Sequence, residues 1–149
     1  MRALVQVRPW DPRFRAYLRL ASREWPWVGA VALAACAGGN AAVWVLEQDG
    51  EVVAGALLTR RPLNVFRRRS QRALARRLCA EGRRNLAYLA VKRDRRGEGH
   101  GRAFIRVVAQ RGDLWLACEP SLDGFYSRCE LVPSPDDPRF HLSCDERLD

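Results

Sequence analysis

The stretch Val91–Phe104, VKRDRRGEGHGRAF, decides how this chain is read. A β-rich run, Leu86–Val91, enters it, and a helical pattern from about Gly99 to Arg111 leaves it. Between them Gly97, Gly99 and Gly101 fall within five positions. Glycine permits positive φ and lets a ligand approach bare backbone. Successive amides then converge on a helix N-terminus, which carries about half a positive charge. A loop of this kind holds phosphate without any side chain. Lys92, Arg93, Arg95, Arg96 and Arg102 stand against Asp94 and Glu98, a local excess of three positive charges. The stretch reads as a pyrophosphate cradle, although glycine turns also precede helices in proteins that bind no phosphate.

The pattern is selective about which cradle. A Walker A loop places Lys-Ser/Thr after its last glycine, where this chain has Arg102-Ala103. A dinucleotide fingerprint, G-x-G-x-x-G counted from Gly97, is broken because Arg102 holds its third glycine position. Glu119 keeps that reading open as a distant ribose ligand. The run Arg96-Gly97-Glu98-Gly99-His100-Gly101 does fit Q/R-x-x-G-x-G/A, and so resembles the acyl-CoA loop of the GNAT N-acetyltransferase superfamily. Leu89-Ala90-Val91 before it and Arg102-Ala103-Phe104 after it resemble the same family's strand and helix. Downstream, Gly124–Leu131 (GFYSRCEL) is similar to the family's xLYeklGF segment, with Tyr126 at the tyrosine. It departs at Glu130 and Leu131, and Glu119-Pro120 stands where many members place an asparagine.

The rest of the chain gives a compatible order. At 149 residues, nearly half of them hydrophobic, one domain spanning 1–149 with a proper core is expected. Ala3–Val7 reads as a strand. Asp11-Pro12 caps and starts a helix running to about Glu24, and a second helix covers Val28–Ala37. Ala42–Gln48, Asp49-Gly50 and Glu51–Thr59 form a hairpin with a type I′ turn. A basic amphipathic helix follows, capped by Asn64, with Phe66, Ala73, Leu74 and Leu78 on one face and Glu81-Gly82 ending it. Leu114–Cys118 is the strand after the glycine-loop helix, parallel to Leu86–Val91 through a right-handed crossover. Asp123–Cys129 is a short helix, and Leu131–Val132 with Phe140–Ser143 a last hairpin. The expected class is α+β, in three layers. A mixed, mostly antiparallel sheet holds one parallel pair, and a helix is inserted between the third and fourth strands.

Charge and cysteines narrow the setting. The net charge of +9 belongs to residues 60–84, which hold ten arginines and one acid; the remainder balances. Five widely spaced cysteines without C-x-x-C, and only His100 and His141, give no plausible zinc set, so no metal is expected. Reduced thiols fit a cytoplasmic protein, and the N-terminus carries no signal-peptide order. Trp27–Leu46 is uncharged and about long enough to span a membrane, but Gly38-Gly39-Asn40 divides it into a buried helix and a buried strand.

The resemblance implies an N-acyltransferase using acetyl-CoA, with the two parallel strands splayed apart. Backbone groups of Leu89, Ala90 and Val91 would pair with the pantetheine arm. Amides from Arg96, Gly97, Glu98, Gly99, His100 and Gly101, with Arg102, would hold the pyrophosphate. An amide near Leu89 would stabilise the oxyanion. The chemistry has its own demands. A lysine-like amine, pKa about 10.4, must lose a proton before it attacks, and a thiolate of pKa about 8.5 must leave with one. Tyr126 is the candidate acid, its alternative role being packing. Glu119 is the candidate base, with Glu47, Tyr88 through water, and Asp113 as others. Cys118 has no histidine near it in sequence and reads as packing rather than nucleophile. Trp25 and Trp27 either wall the acceptor pocket or anchor the core. For the arginine segment three readings stand: it attracts an acidic acceptor, it makes the chain a nucleic-acid or acidic-partner binding module, or it is a solvated face. A monomer or homodimer is expected.

Overall fold

A computed structural model describes residues 2–63 and 66–143. The elements are β1 (Arg2–Val7), α1 (Pro12–Ser22), α2 (Val28–Ala37), β2 (Ala41–Gln48), β3 (Glu51–Thr59), α3 (Arg69–Ala80), β4 (Arg84–Val91), α4 (His100–Arg111), β5 (Leu114–Ala117), α5 (Asp123–Arg128), β6 (Leu131–Pro133) and β7 (Phe140–Ser143). One seven-stranded sheet runs in the order β1-β2-β3-β4-β5-β7-β6, antiparallel except for β4 and β5. The local signals act as expected. Asp11 accepts from the Arg13 amide at 2.9 Å with Pro12 opening α1. Asp49 and Gly50 both take positive φ, 53° and 81°, as a type I′ turn requires.

Alternation along the strands sends side chains to two layers. Val43, Val45 and Leu57 face α1 and α2, packing with Phe14, Tyr17 and Ala21. Leu46, Ala54, Ala56, Leu114 and Leu116 face α4, packing with Phe104, Ile105 and Val108. Trp115 points to the α1–α2 side, where α3 covers it with Leu74, Ala75 and Leu78 beside Phe140. The sheet is thus covered on both faces.

Three expectations are corrected. The arginine helix starts only at Arg69, so Phe66 lies before it rather than on its apolar face, and still packs on Trp115 and Phe140. Its buried stripe is Gln71, Leu74, Ala75 and Leu78, so Ala73 faces solvent. The expected cap Asn64 lies outside the described residues. Helix α1 stops at Ser22, short of Glu24. The α2 helix is not buried: only Val28 and Ala32 are, and Leu33 is about half exposed. Its alanines are small enough to leave one apolar face in water at little cost. No described helix is long and apolar enough to cross a membrane.

Candidate functional site

The site begins where two parallel strands part. β4 and β5 pair only at Arg84–Leu114 and Asn85–Trp115, with the Arg84 amide donating to the Asp113 carbonyl at 2.9 Å. Beyond that point β4 runs on for six residues alone on its β5 side. A bulge helps turn it. Gly55 pairs with Ala90 but Leu57 with Ala87, so Tyr88 and Leu89 together face Ala56. Tyr88 takes φ 54°, which costs energy in a bulky residue. The fully buried Tyr17 hydroxyl donates to the Tyr88 carbonyl at 2.8 Å and holds the turn. Tyr17 can lie there because residue 55 is glycine: a Cβ at Gly55 would stand 2.7 Å from the Tyr17 ring. The bulge resets the alternation, sending Tyr88 to the α1–α2 side and Leu89 and Val91 to the other.

The gap opens into two clefts. One, about 600 Å³, lies along the glycine loop between Val91, Gly97–Arg102, Phe125 and Arg128. Gly97 and Gly99 adopt φ 87° and 81°. Gly101 serves differently, since a Cβ there would meet Phe125 at 3.1 Å and Val91 at 3.2 Å. Among the described residues, no amide from Gly97 to Arg102 donates to a protein acceptor, and α4 begins at His100, so five unpaired amides of lining residues, those of Gly97, Gly99, His100, Gly101 and Arg102, lie at this cleft with a helix dipole. The Arg96 amide, expected among the donors, is instead spent on the Arg93 carbonyl at 3.4 Å, closing a tight turn. The expected charge excess is smaller than three. Glu51 pairs with Lys92 and with Arg95, the latter at 3.0 Å, and Glu24 pairs with Arg96 at 3.3 Å. These acids come from β3 and from the turn after α1, beyond the reach of a local count. Arg102 and, from α5, Arg128 line the cleft. His100 is buried and bonds Glu98 at 2.9 Å, which fixes the loop rather than presenting a reactive ring. Ala90 points its side chain away, so only its backbone can serve here.

The other cleft, about 550 Å³, is walled by Trp25, Trp27, Tyr88, Phe66, Cys118 and Glu119. Trp25 meets Tyr88 edge-on at 5.2 Å between ring centres, and Trp27 Nε1 donates to the Tyr88 hydroxyl at 3.4 Å. Glu119 is exposed on the rim, at the start of a short 3₁₀ turn. Of the other base candidates, Tyr88 is in this cleft. Glu47 is tied to Arg13 at 3.2 Å, and Asp113 precedes β5 at the paired end of the gap. Leu89, Leu122 and Tyr126 belong to both clefts. Tyr126 is half-buried, and burial first, then the neighbouring Cys118 and Cys129, push its hydroxyl up to about 12. It therefore remains a proton donor at neutral pH.

A third cleft, about 470 Å³, continues past Leu63 and Phe66 and is rimmed by Arg60, Arg61, Arg72 and Arg76. The remaining arginines of the segment are not all solvated. Arg83 donates to the Leu114 and Ser143 carbonyls, and Arg77 pairs with Asp136. One sequence argument fails outright: Cys118 does have a histidine, since His141 Nδ1 lies 3.5 Å from its sulfur. The two are 23 residues apart, Cys118 just past β5 and His141 on the neighbouring β7, a proximity that spacing does not encode.

Comparison with known proteins agrees with this geometry. Residues 5–129 match the sequence model of the Acetyltransferase (GNAT) family. No curated protein matches the chain. Among solved structures, a GNAT family acetyltransferase from Brucella melitensis in complex with acetyl-CoA superposes with TM-score 0.62 at 21% identity, covering 100% of this chain and 99% of its own. The ribosomal-protein-S18-alanine N-acetyltransferase from Escherichia coli gives 0.61 at 19%, with coverage of 100% and 99%. An N-acyl amino acid synthase from uncultured soil microbes gives 0.61 at 12%, with coverage of 96% and 90%. At these identities the likeness concerns the fold.

Proposed function

Because the chain belongs to the GNAT acetyltransferase family, we propose that it moves an acyl group, acetyl in the simplest case, from coenzyme A to an amine by direct attack on the thioester. The observation that carries this reading is the junction at Tyr126. A cleft edged by five free amides and a cleft walled by aromatic side chains meet at one protonated hydroxyl. Amides from Gly97 to Arg102, with the Arg102 and Arg128 guanidiniums, hold the donor's diphosphate, a charge that helix amides suit. Backbone groups of Leu89, Ala90 and Val91 receive its extended arm as an added strand would be received. The amine enters between Trp25 and Trp27 and gives its proton, through water, to Glu119 on the rim. Its nitrogen bonds to the thioester carbon, whose oxygen takes the negative charge near the Leu89 amide. The carbon–sulfur bond then breaks, Tyr126 protonates the departing thiolate, and the proton that the attacking nitrogen still has to lose restores the tyrosine through water.

The arginine-rimmed cleft favours an acceptor bearing negative charge, a small acidic amine or an acidic peptide. The four arginines lie on a continuation of the acceptor cleft, where they add attraction without touching the reacting atoms. The four cysteines among the described residues, Cys36, Cys79, Cys118 and Cys129, are free thiols and suit a reducing compartment such as the cytoplasm.

Thermal unfolding with acetyl-CoA tests the donor half. At a hundred times its dissociation constant the ligand adds about 2.7 kcal/mol to stability and raises Tm. Gly99→Glu, which sets a carboxylate against the diphosphate, removes the shift while the variant still folds. No shift at saturating acetyl-CoA ends the transferase reading. A screen of amines and N-terminal peptides tests the acceptor half. Replacing Arg60, Arg61 and Arg76 by Gln raises KM for acidic acceptors and leaves neutral ones unchanged. Retention on nucleic acid at low salt, abolished by the same changes and without turnover of any amine, favours the binding-module reading instead.

A further inference from the structure

Three side chains of different elements converge behind Tyr126. Cys118 follows β5, Asp123 opens α5, and His141 is the second residue of β7. The Cys118 sulfur lies 3.5 Å from His141 Nδ1 and 3.7 Å from an Asp123 carboxylate oxygen. One donor atom from each residue falls within 4.8 Å of the other two. In a tetrahedral zinc centre, bonds of about 2.3 Å to sulfur and 2.0–2.2 Å to nitrogen and oxygen set donor atoms about 3.5 Å apart. The two edges that meet at the Asp123 oxygen, 3.7 Å to the Cys118 sulfur and 3.5 Å to His141 Nε2, already have about that length.

A second observation points to a missing partner. His141 is fully buried, and its Nε2 finds no hydrogen bond. The Asp123 oxygen stands 3.5 Å from Nε2 and makes no hydrogen bond with it. A buried imidazole nitrogen is ordinarily satisfied. Asp123 is about half exposed and Cys118 opens on the tryptophan-walled cleft, so a small solute reaches the cluster from solvent.

We propose that Cys118, Asp123 and His141 form a binding site for one divalent cation of the zinc class, with its fourth position open to the acceptor cleft. Three protein ligands and one exchangeable position is a recurring zinc arrangement. A thiolate–imidazole–carboxylate set suits zinc or cobalt(II), whereas calcium and magnesium take oxygen ligands alone. Binding at Nε2 requires one modest movement, of the Cys118 thiolate from its contact with Nδ1 toward the Asp123 side of the ring. The Tyr126 ring lies 5.9 Å from His141, centre to centre, so the cation would lie beside the catalytic junction without belonging to it. The proposal departs from the expectation of no zinc set from two histidines, because the set uses a carboxylate and closes only through the β5–β7 pairing.

The experiment uses the untagged full-length chain, stripped with a chelator and titrated with cobalt(II). One equivalent binds, with thiolate-to-cobalt charge-transfer absorption and the strong visible bands of a tetrahedral centre, and one equivalent of zinc bleaches both. Cys118→Ser abolishes the charge-transfer band, and Asp123→Asn weakens binding at least tenfold. Both positions reach solvent, so both variants fold, as circular dichroism verifies. Their acetyl-CoA thermal shift stays within twofold of the parent's, which separates failure here from failure of the transferase reading. Absence of saturable cobalt binding, or a charge-transfer band that survives Cys118→Ser, overturns the proposal.

Discussion

The two clefts that meet at Tyr126 are made of different material. The loop-side cleft is edged by main chain: five amides, two glycines in left-handed conformations, and a third glycine at Gly101 where a side chain would press on Phe125 and Val91. The opposite cleft is walled by side chains, among them Trp25, Trp27, Tyr88 and Phe66. A main-chain wall presents the same donors whatever residues surround it, provided the backbone keeps its path. A side-chain wall changes with each substitution. One protein can therefore keep a fixed grip on one partner and an adjustable grip on another.

The widest test of this contrast lies at the junction itself. Tyr126→Phe removes the hydroxyl and little else, and kcat should fall about 100-fold or more with acetyl-CoA affinity unchanged. An equal loss of affinity, read by calorimetry, would assign Tyr126 to the donor wall alone. Next comes a pair of variants on the loop side. Gly101→Leu drives atoms into Phe125 and Val91 and should weaken acetyl-CoA binding about 100-fold, or 2.7 kcal/mol. Arg102→Ala, beside it, should cost only about fivefold, roughly 1 kcal/mol. A reversed order would mean that side chains, not amides, carry the grip. The smallest effect belongs to the other wall. Trp27→Ala should raise KM for the acceptor about fivefold, roughly 1 kcal/mol of lost aromatic contact, and leave KM for acetyl-CoA alone. A change in both constants would show that the walls are not independent.

What could be read from residues alone follows the same division. Main-chain features announce themselves locally. Asp49-Gly50 gives a turn, Asp11-Pro12 a helix start, and the spacing of Gly97, Gly99 and Gly101 a phosphate-type loop. Features made by side chains from distant segments do not. Glu24 and Glu51 neutralise part of the loop's charge from 72 and 41 residues away, so the local sum overstated it. The Cys118–Asp123–His141 cluster requires knowing that β7 lies beside β5. The start of α3 is not legible because Phe66 has the right spacing to belong to the helix, yet its ring reaches Trp115 and Phe140 from the segment before it. Most hidden of all was the bulge. Nothing about tyrosine advertises positive φ, and a glycine would have been the natural expectation at position 88.

That single extra residue in β4 has a wider effect. Because the parity of the strand changes at Tyr88, neighbours in sequence serve opposite rooms: Tyr88 the aromatic one, Leu89 and Val91 the diphosphate one. Inserting or deleting one residue between Leu86 and Ala90 would exchange the occupants of both rooms at once. Replacing Tyr88 in place would redecorate one and spare the other. β4 thus works as a two-sided partition whose sides can be altered separately only while its length is preserved.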